Sequence, residues 1–158
     1  MRTMTVSLLG LAALAFAAAP SLGDQAGGRD AHAHAFDQCA KACGDCQRAC
    51  DSCATHCQGL LAQGKKEHGK TLRTCLDCAE HCSAAARITA RGGPFSDLIC
   101  TACAEACARC GKECEKFPTD EHMKKCAEEC RKCEKACREM LKHVDKGSTT
   151  TKAGTERK

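Results

Sequence analysis

Apolar positions recur along this chain in steps of three and four, and at most of them stands a cysteine. The cysteines fall into four groups: Cys39, Cys43, Cys46, Cys50, Cys53 and Cys57; Cys75, Cys78 and Cys82; Cys100, Cys103, Cys107, Cys110 and Cys114; Cys126, Cys130, Cys133 and Cys137. Within each group the steps alternate strictly, averaging about 3.5 residues, which is the seam of a helix packed in a bundle. A strand, with its period of two, would scatter the same residues over both faces. The breaks between groups carry turn chemistry. Gly64 and Gly69 flank Lys65-Lys66-Glu67-His68, Arg91-Gly92-Gly93-Pro94 forms the second break, and Phe117-Pro118-Thr119-Asp120 the third. Glycine suits a left-handed helix end and proline a first helical turn. The spacing therefore predicts helices over 32–62, 66–91, 94–116 and 119–145. Short connections make neighbours antiparallel, so the predicted fold is all-α: an up-down-up-down four-helix bundle over residues 32–145 with a cysteine-lined core.

Outside the bundle the pattern changes. Met1-Arg2-Thr3-Met4, an apolar run from Val6 to Ala19 and then Pro20-Ser21-Leu22-Gly23 have the shape of a secretory signal peptide over residues 1–23. The run is shorter than the roughly 20 residues a membrane span needs. An exported protein, periplasmic or extracellular and free of the membrane once the signal is removed, is expected. Residues 24–31 form a short N-terminal segment, and the polar stretch 146–158 is expected to be a disordered tail.

Composition narrows the function. The formal charge of +4 is too mild to argue for a nucleic-acid partner. With no Trp or Tyr and four Phe, an aromatic core cannot be built. In the last helix Glu121 and Lys125, Glu128 and Lys132, and Glu134 and Arg138 stand four apart in the favourable acid-first order, a solvated outer face. Eighteen cysteines in 158 residues would ordinarily indicate a disulfide scaffold.

Three readings compete for those cysteines. A disulfide-stapled structural bundle is the first; two or three bridges would already staple a chain of this size, and thiols on one helix are poorly oriented to bridge each other. Zinc or an iron–sulfur cluster is the second, although such sites draw separate groups of ligands around one centre, whereas these thiols run continuously with no division into fours. Copper(I) is the third: a soft ion that prefers thiolate. Residues i and i+4 point the same way from adjacent turns, so each C-x-x-x-C is a two-sulfur clamp. Eight can be drawn, from Cys39 with Cys43 to Cys133 with Cys137, leaving Cys75 and Cys100 each with a neighbour three residues on.

Four cysteine-seamed helices joined by Gly/Pro turns, with runs such as C-A-K-A-C-G-D-C-Q-R-A-C from Cys39 to Cys50, resemble the four-helix-bundle copper storage proteins. The resemblance implies that all 18 cysteines hold many Cu(I) ions inside the bundle, for storage or detoxification. It also implies a homo-oligomer, and in exported members a copper-receiving protein as partner. The second helix departs from the pattern, with Ala85 and Thr89 at the next seam positions.

Antiparallel packing gathers His32, Phe36, Ala85, Thr89, Ser96 and Met140 at one end, and Leu60, His68, Thr71, Phe117 and Met123 at the other. The first end is expected to be the copper entrance, with His32 and Met140 as auxiliary ligands; the bland alternative is methionine as core filler. His56, His81, His122 and His143 each precede a seam position by one residue, on the border between thiols and solvent. No enzyme is expected: no strand accompanies a redox C-x-x-C, no paired E-x-x-H suits a di-iron bundle, and no nucleophile stands with a base.

Overall fold

A computed structural model describes residues 23–148, with side chains over 31–144. Helix α1 spans Gly23–Ala62, α2 Gly69–Ala90, α3 Ser96–Cys114 and α4 Glu121–Ser148, and a single 3-10 turn, Lys66–His68, leads into α2. No strand occurs among the described residues, and no helix among them is long and apolar enough to cross a membrane. The helices close into an antiparallel square in which α1 touches α2 and α4, and α3 touches α2 and α4.

The turns form where the sequence supplies their chemistry. Gly64 takes φ +87° and Gly92 φ +60°, a region that costs an L side chain strain. There the chain folds back on the carbonyls of the preceding helix: Lys65 N–H donates to Leu60 O at 3.1 Å and Gly93 N–H to Ile88 O at 2.9 Å. The third turn ends on an N-cap. Asp120 Oδ1 accepts the backbone N–H groups of His122 and Met123 at 3.0 and 3.2 Å, satisfying two donors that the helix cannot.

Helix boundaries differ from the predicted ones for physical reasons. α1 starts nine residues before 32, at the last residue of the expected signal peptide, and runs through the 24–31 stretch expected to be a separate segment, where no cysteine seam announces a helix. α3 starts at Ser96 instead of 94, since Pro94 and Phe95 complete the turn. α4 continues three residues past 145. The signal peptide lies outside the described residues except for Gly23, as does the expected tail beyond Ser148.

All 18 cysteines point inward and none is more than 1% exposed. Cysteine is small for a core residue, so the helices must lie close together, and the residues beside the seam permit it. Ala54, Ala79, Ala104 and Ala127 each follow a cysteine and are buried between helices. Gly111, following Cys110, goes further: a Cβ there would stand 3.1 Å from Arg131 Cζ and 3.3 Å from Cys130 Cβ. Without a side chain at 111, the Arg131 guanidinium lies across α3 and donates to Ala108 O at 3.2 Å.

Candidate metal centre

The four seams meet as one column of sulfur. Four of the C-x-x-x-C clamps, Cys39 with Cys43, Cys46 with Cys50, Cys78 with Cys82 and Cys103 with Cys107, separate their Sγ atoms by 4.0 Å. Thiol contacts between helices run from 3.5 to 4.0 Å and include all the shortest. Cys133 approaches Cys43 at 3.5 Å, Cys39 approaches Cys137 at 3.6 Å, Cys82 approaches Cys107 at 3.6 Å, and Cys46 approaches Cys130 at 3.7 Å. The intrahelical clamp is thus not the preferred unit; neighbouring helices share every stretch of the column.

Magnitudes decide what this spacing suits. With metal–sulfur bonds of about 2.3 Å, two sulfurs in line stand about 4.6 Å apart, three around one ion about 4.0 Å, and four in a tetrahedron about 3.8 Å. The observed separations fall in the range for shared, three- and four-sulfur arrangements. Sets of four Sγ atoms within 4.8 Å of one another include Cys43/Cys103/Cys133/Cys137, Cys46/Cys78/Cys82/Cys107, Cys46/Cys50/Cys78/Cys130, Cys50/Cys110/Cys126/Cys130 and Cys53/Cys75/Cys114/Cys126. The sequence suggests no division into fours; the structure contains fours, but they overlap. Cys46, Cys50, Cys78, Cys126 and Cys130 each belong to two. All 18 cysteines are free thiols, at separations far beyond the roughly 2.05 Å of a disulfide bond.

Burial and thiol–thiol hydrogen bonding act against each other on the protons. Loss of solvent pushes the Cys57 thiol up to about 11, the hydrogen bond with Cys53 opposing it weakly. Cys114 is brought down to about 5, chiefly by its hydrogen bond with Cys110. Elsewhere in the column donors and acceptors divide the same way. Cys39 is lowered, first by Cys100 and Cys137, whereas Cys43 is raised, first by Cys103. Part of the column is therefore already disposed to carry thiolates, the form that binds metal.

At the Cys39 end Met140 is fully buried, and His32 stacks on Phe36 with ring centroids 4.4 Å apart. At the other end Cys53 Sγ donates to Met123 Sδ at 3.4 Å, the closest approach of a methionine to the column. Nothing but its seam position three residues before Cys126 marked Met123 in the sequence. His68 is 6% exposed and packs against Phe117, and its Nδ1 and Thr71 Oγ1 are buried without hydrogen-bond partners. Three of the flanking histidines are engaged with partners other than thiols. His81 Nδ1 lies 2.8 Å from the carbonyl of Asp77, and His56 and His122 stack on each other outside the column.

Comparison with known proteins agrees with this geometry. The sequence model of the copper storage protein family matches residues 32–142. Among solved structures, a cytosolic copper storage protein from Streptomyces lividans carrying five coppers is 35% identical, with a TM-score of 0.66 over 72% of this chain and 97% of that one. The Streptomyces lividans protein loaded with ten copper equivalents is 36% identical, with a TM-score of 0.64 over 70% and 86% of the two chains. Apo copper storage protein 3 from Bacillus subtilis is 34% identical, with a TM-score of 0.58 over 66% and 96%. No curated protein matches the chain. The matched family consists of storage proteins and not of enzymes, and with the match covering most of its length this chain belongs to the copper storage protein family.

Proposed function

We propose that the protein is an exported, high-capacity store for Cu(I), held by thiolates of Cys39, Cys43, Cys46, Cys50, Cys53, Cys57, Cys75, Cys78, Cys82, Cys100, Cys103, Cys107, Cys110, Cys114, Cys126, Cys130, Cys133 and Cys137. The observation that carries this is the overlap of the four-sulfur sets. Isolated zinc centres cannot fill two sets that own the same cysteine, whereas a soft ion with bridging thiolates can occupy the whole column. Dedicated pairs would hold about 9 ions and bridging thiolates up to about 18. His32 and Met140 supply auxiliary donors at the Cys39 end, which takes up the ions. Copper is held for a copper-receiving protein or kept out of harm, in a homo-oligomer of the chain. Export rests on residues 1–23, and N-terminal sequencing of the mature protein from the extracytoplasmic fraction tests it.

The central test is anaerobic Cu(I) titration with metal analysis beside a free-thiol count. Uptake well above four equivalents is expected, with thiolate-to-copper absorption growing throughout. Replacing Cys46 and Cys50 together by Ser should remove a small share of capacity and leave the helices intact. Saturation at one or two ions, or complete loss in the double variant, would falsify the distributed store. Preference for Zn(II) over Cu(I) in direct competition would favour the zinc reading, for which a single four-sulfur set is also adequate.

A further inference from the structure

Away from the thiols, α1 and α4 bring together three donors of a different chemical kind. His56 precedes Cys57 and His122 precedes Met123, so each side chain leaves its helix beside the seam, where α1 and α4 face each other. The two imidazoles stack with centroids 4.2 Å apart and planes 13° from parallel. His56 Nε2 lies 2.7 Å from Asp120 Oδ2. The other oxygen of that carboxylate is fixed by the N–H groups of His122 and Met123, so Asp120 cannot swing away. Burial works against its ionisation, yet the hydrogen bonds from His56 and from the backbone hold its carboxyl below the usual range. The His56 and Asp120 side chains are 26% and 23% exposed, and an open groove of about 470 Å³ lined by His56, Gly59 and His122 reaches the two imidazoles from solvent.

We propose that His56, His122 and Asp120 form a binding site for one divalent borderline ion, Zn(II) or Cu(II), separate from the column. Two imidazoles and one carboxylate suit such ions, whereas the thiols within suit soft monovalent ones. The fit is close. Donor atoms around a tetrahedral zinc with bonds of about 2.0 Å stand about 3.3 Å apart, so the His56 Nε2 to Asp120 Oδ2 distance must open by about 0.6 Å. The groove permits that movement, and turning the exposed His122 ring out of the stack adds the third donor. On binding, the neutral His56 ring carries its single proton on Nδ1, so that Nε2 and Asp120 Oδ2 both turn lone pairs to the ion and no proton is lost. The positive end of α4 opposes a cation here, and the ionised Asp120 offsets it. Neither His34, near the start of the bundle, nor His81, engaged with the carbonyl of Asp77, is part of this grouping.

The site stands whether or not the column stores copper, and the test keeps the two apart. The full chain is first charged with Cu(I), so that its thiolates are occupied, and then titrated with redox-inert Zn(II). One zinc per chain is expected to bind with no copper released. H56A and D120N should each weaken that zinc at least tenfold, and H34A should not; D120N preserves the helix cap, since asparagine accepts the same N–H bonds. Long-range 1H–15N spectra of the copper-free chain should show the His56 and His122 rings shifting on zinc addition, even if copper uptake fails. No zinc bound beyond the copper, zinc taken up only as copper is lost, binding unchanged by both H56A and D120N, or unshifted His56 and His122 rings would each overturn the proposal.

Discussion

The two ends of the sulfur column are held shut in opposite ways. At the Leu60 end, three contacts tie one helix to another: the hydrogen bond between His56 and Asp120 at 2.7 Å, and the ion pairs of Lys70 with Glu113 at 3.2 Å and Arg131 with Glu115 at 2.8 Å. At the Cys39 end the pairs stay within one helix, as in Lys41 with Asp45, Arg138 with Glu134 and Lys142 with Glu139. Inside, the order reverses. Thr89 and Ser96, at the Cys39 end, donate to the carbonyls of Ala85 and Gly93 at 2.7 and 2.6 Å. Thr71 and His68, at the Leu60 end, bury polar atoms with no partner. Two of the three turns also lie at the Leu60 end, whereas the Cys39 end has one turn, with the start of α1 and the end of α4 on the same side. Exposed ion pairs contribute only about 0–1 kcal/mol each, but they act between elements that would have to separate. Side-chain ties between helices thus gather at the Leu60 end, which also holds the buried polar atoms without partners.

Acidification should give the largest effect, read first at the Leu60 end where Cys57 and Cys114 lie. Cys57, raised by burial to about 11, keeps its proton throughout the range from pH 7 to 5, and Cu(I) must displace it. Affinity thus falls with falling pH, by about 1.4 kcal/mol per pH unit for each proton displaced. Cys114, held at about 5, bears a thiolate at pH 7 and adds to the loss only at the bottom of that range. Competition with a chromophoric Cu(I) chelator measures this, and equal affinity at pH 7 and 5 would rule out thiolate as the ligand. Next in size, Thr71→Val should stabilise the reduced, copper-free protein by about 1–2 kcal/mol, since it removes an unpaired buried hydroxyl. Thr89→Val loses a satisfied bond and should cost about 0.5–1.5 kcal/mol. Chemical denaturation that gives both changes the same sign would erase the internal contrast between the ends. The smallest effect is Arg131→Ala, about 0.5 kcal/mol. Amide exchange at the end of α3 should quicken two- to threefold in that variant (a factor that follows from about 0.5 kcal/mol), whereas Arg138→Ala should leave the Cys39 end as fast as before.

Much of this was legible in the chain because a seam is a local property. Steps of three and four place Cys39 and Cys43 on one face whatever the partner, so helix type, helix number and the inward set of thiols follow from spacing. What spacing lacks is the register between helices. The 4.0 Å clamp between Cys46 and Cys50 could be drawn in advance, but the 3.7 Å approach of Cys46 to Cys130 depends on how far α4 is slid along α1. The same ignorance hid the overlap of the fours, and it hid the meeting of His56 with His122, which lie 66 positions apart in the chain. The start of α1 was missed for a different reason: its first turns carry no cysteine to make a period. The alanines after Cys53, Cys78, Cys103 and Cys126 were visible, but their role appears only when a neighbouring helix lies against them.

Sharing of cysteines between adjacent four-sulfur sets makes the column a one-dimensional lattice instead of a collection of independent sites. An ion settled among Cys46, Cys50, Cys78 and Cys130 has already stripped and oriented Cys46 and Cys78 for the neighbouring set with Cys82 and Cys107. The next ion then meets a smaller proton cost and a smaller ordering cost there than at an untouched set further along. Half-filled molecules should accordingly contain contiguous runs of metal and contiguous runs of empty thiol, so that a sample at intermediate load is a mixture of lengths and not a uniform dilution.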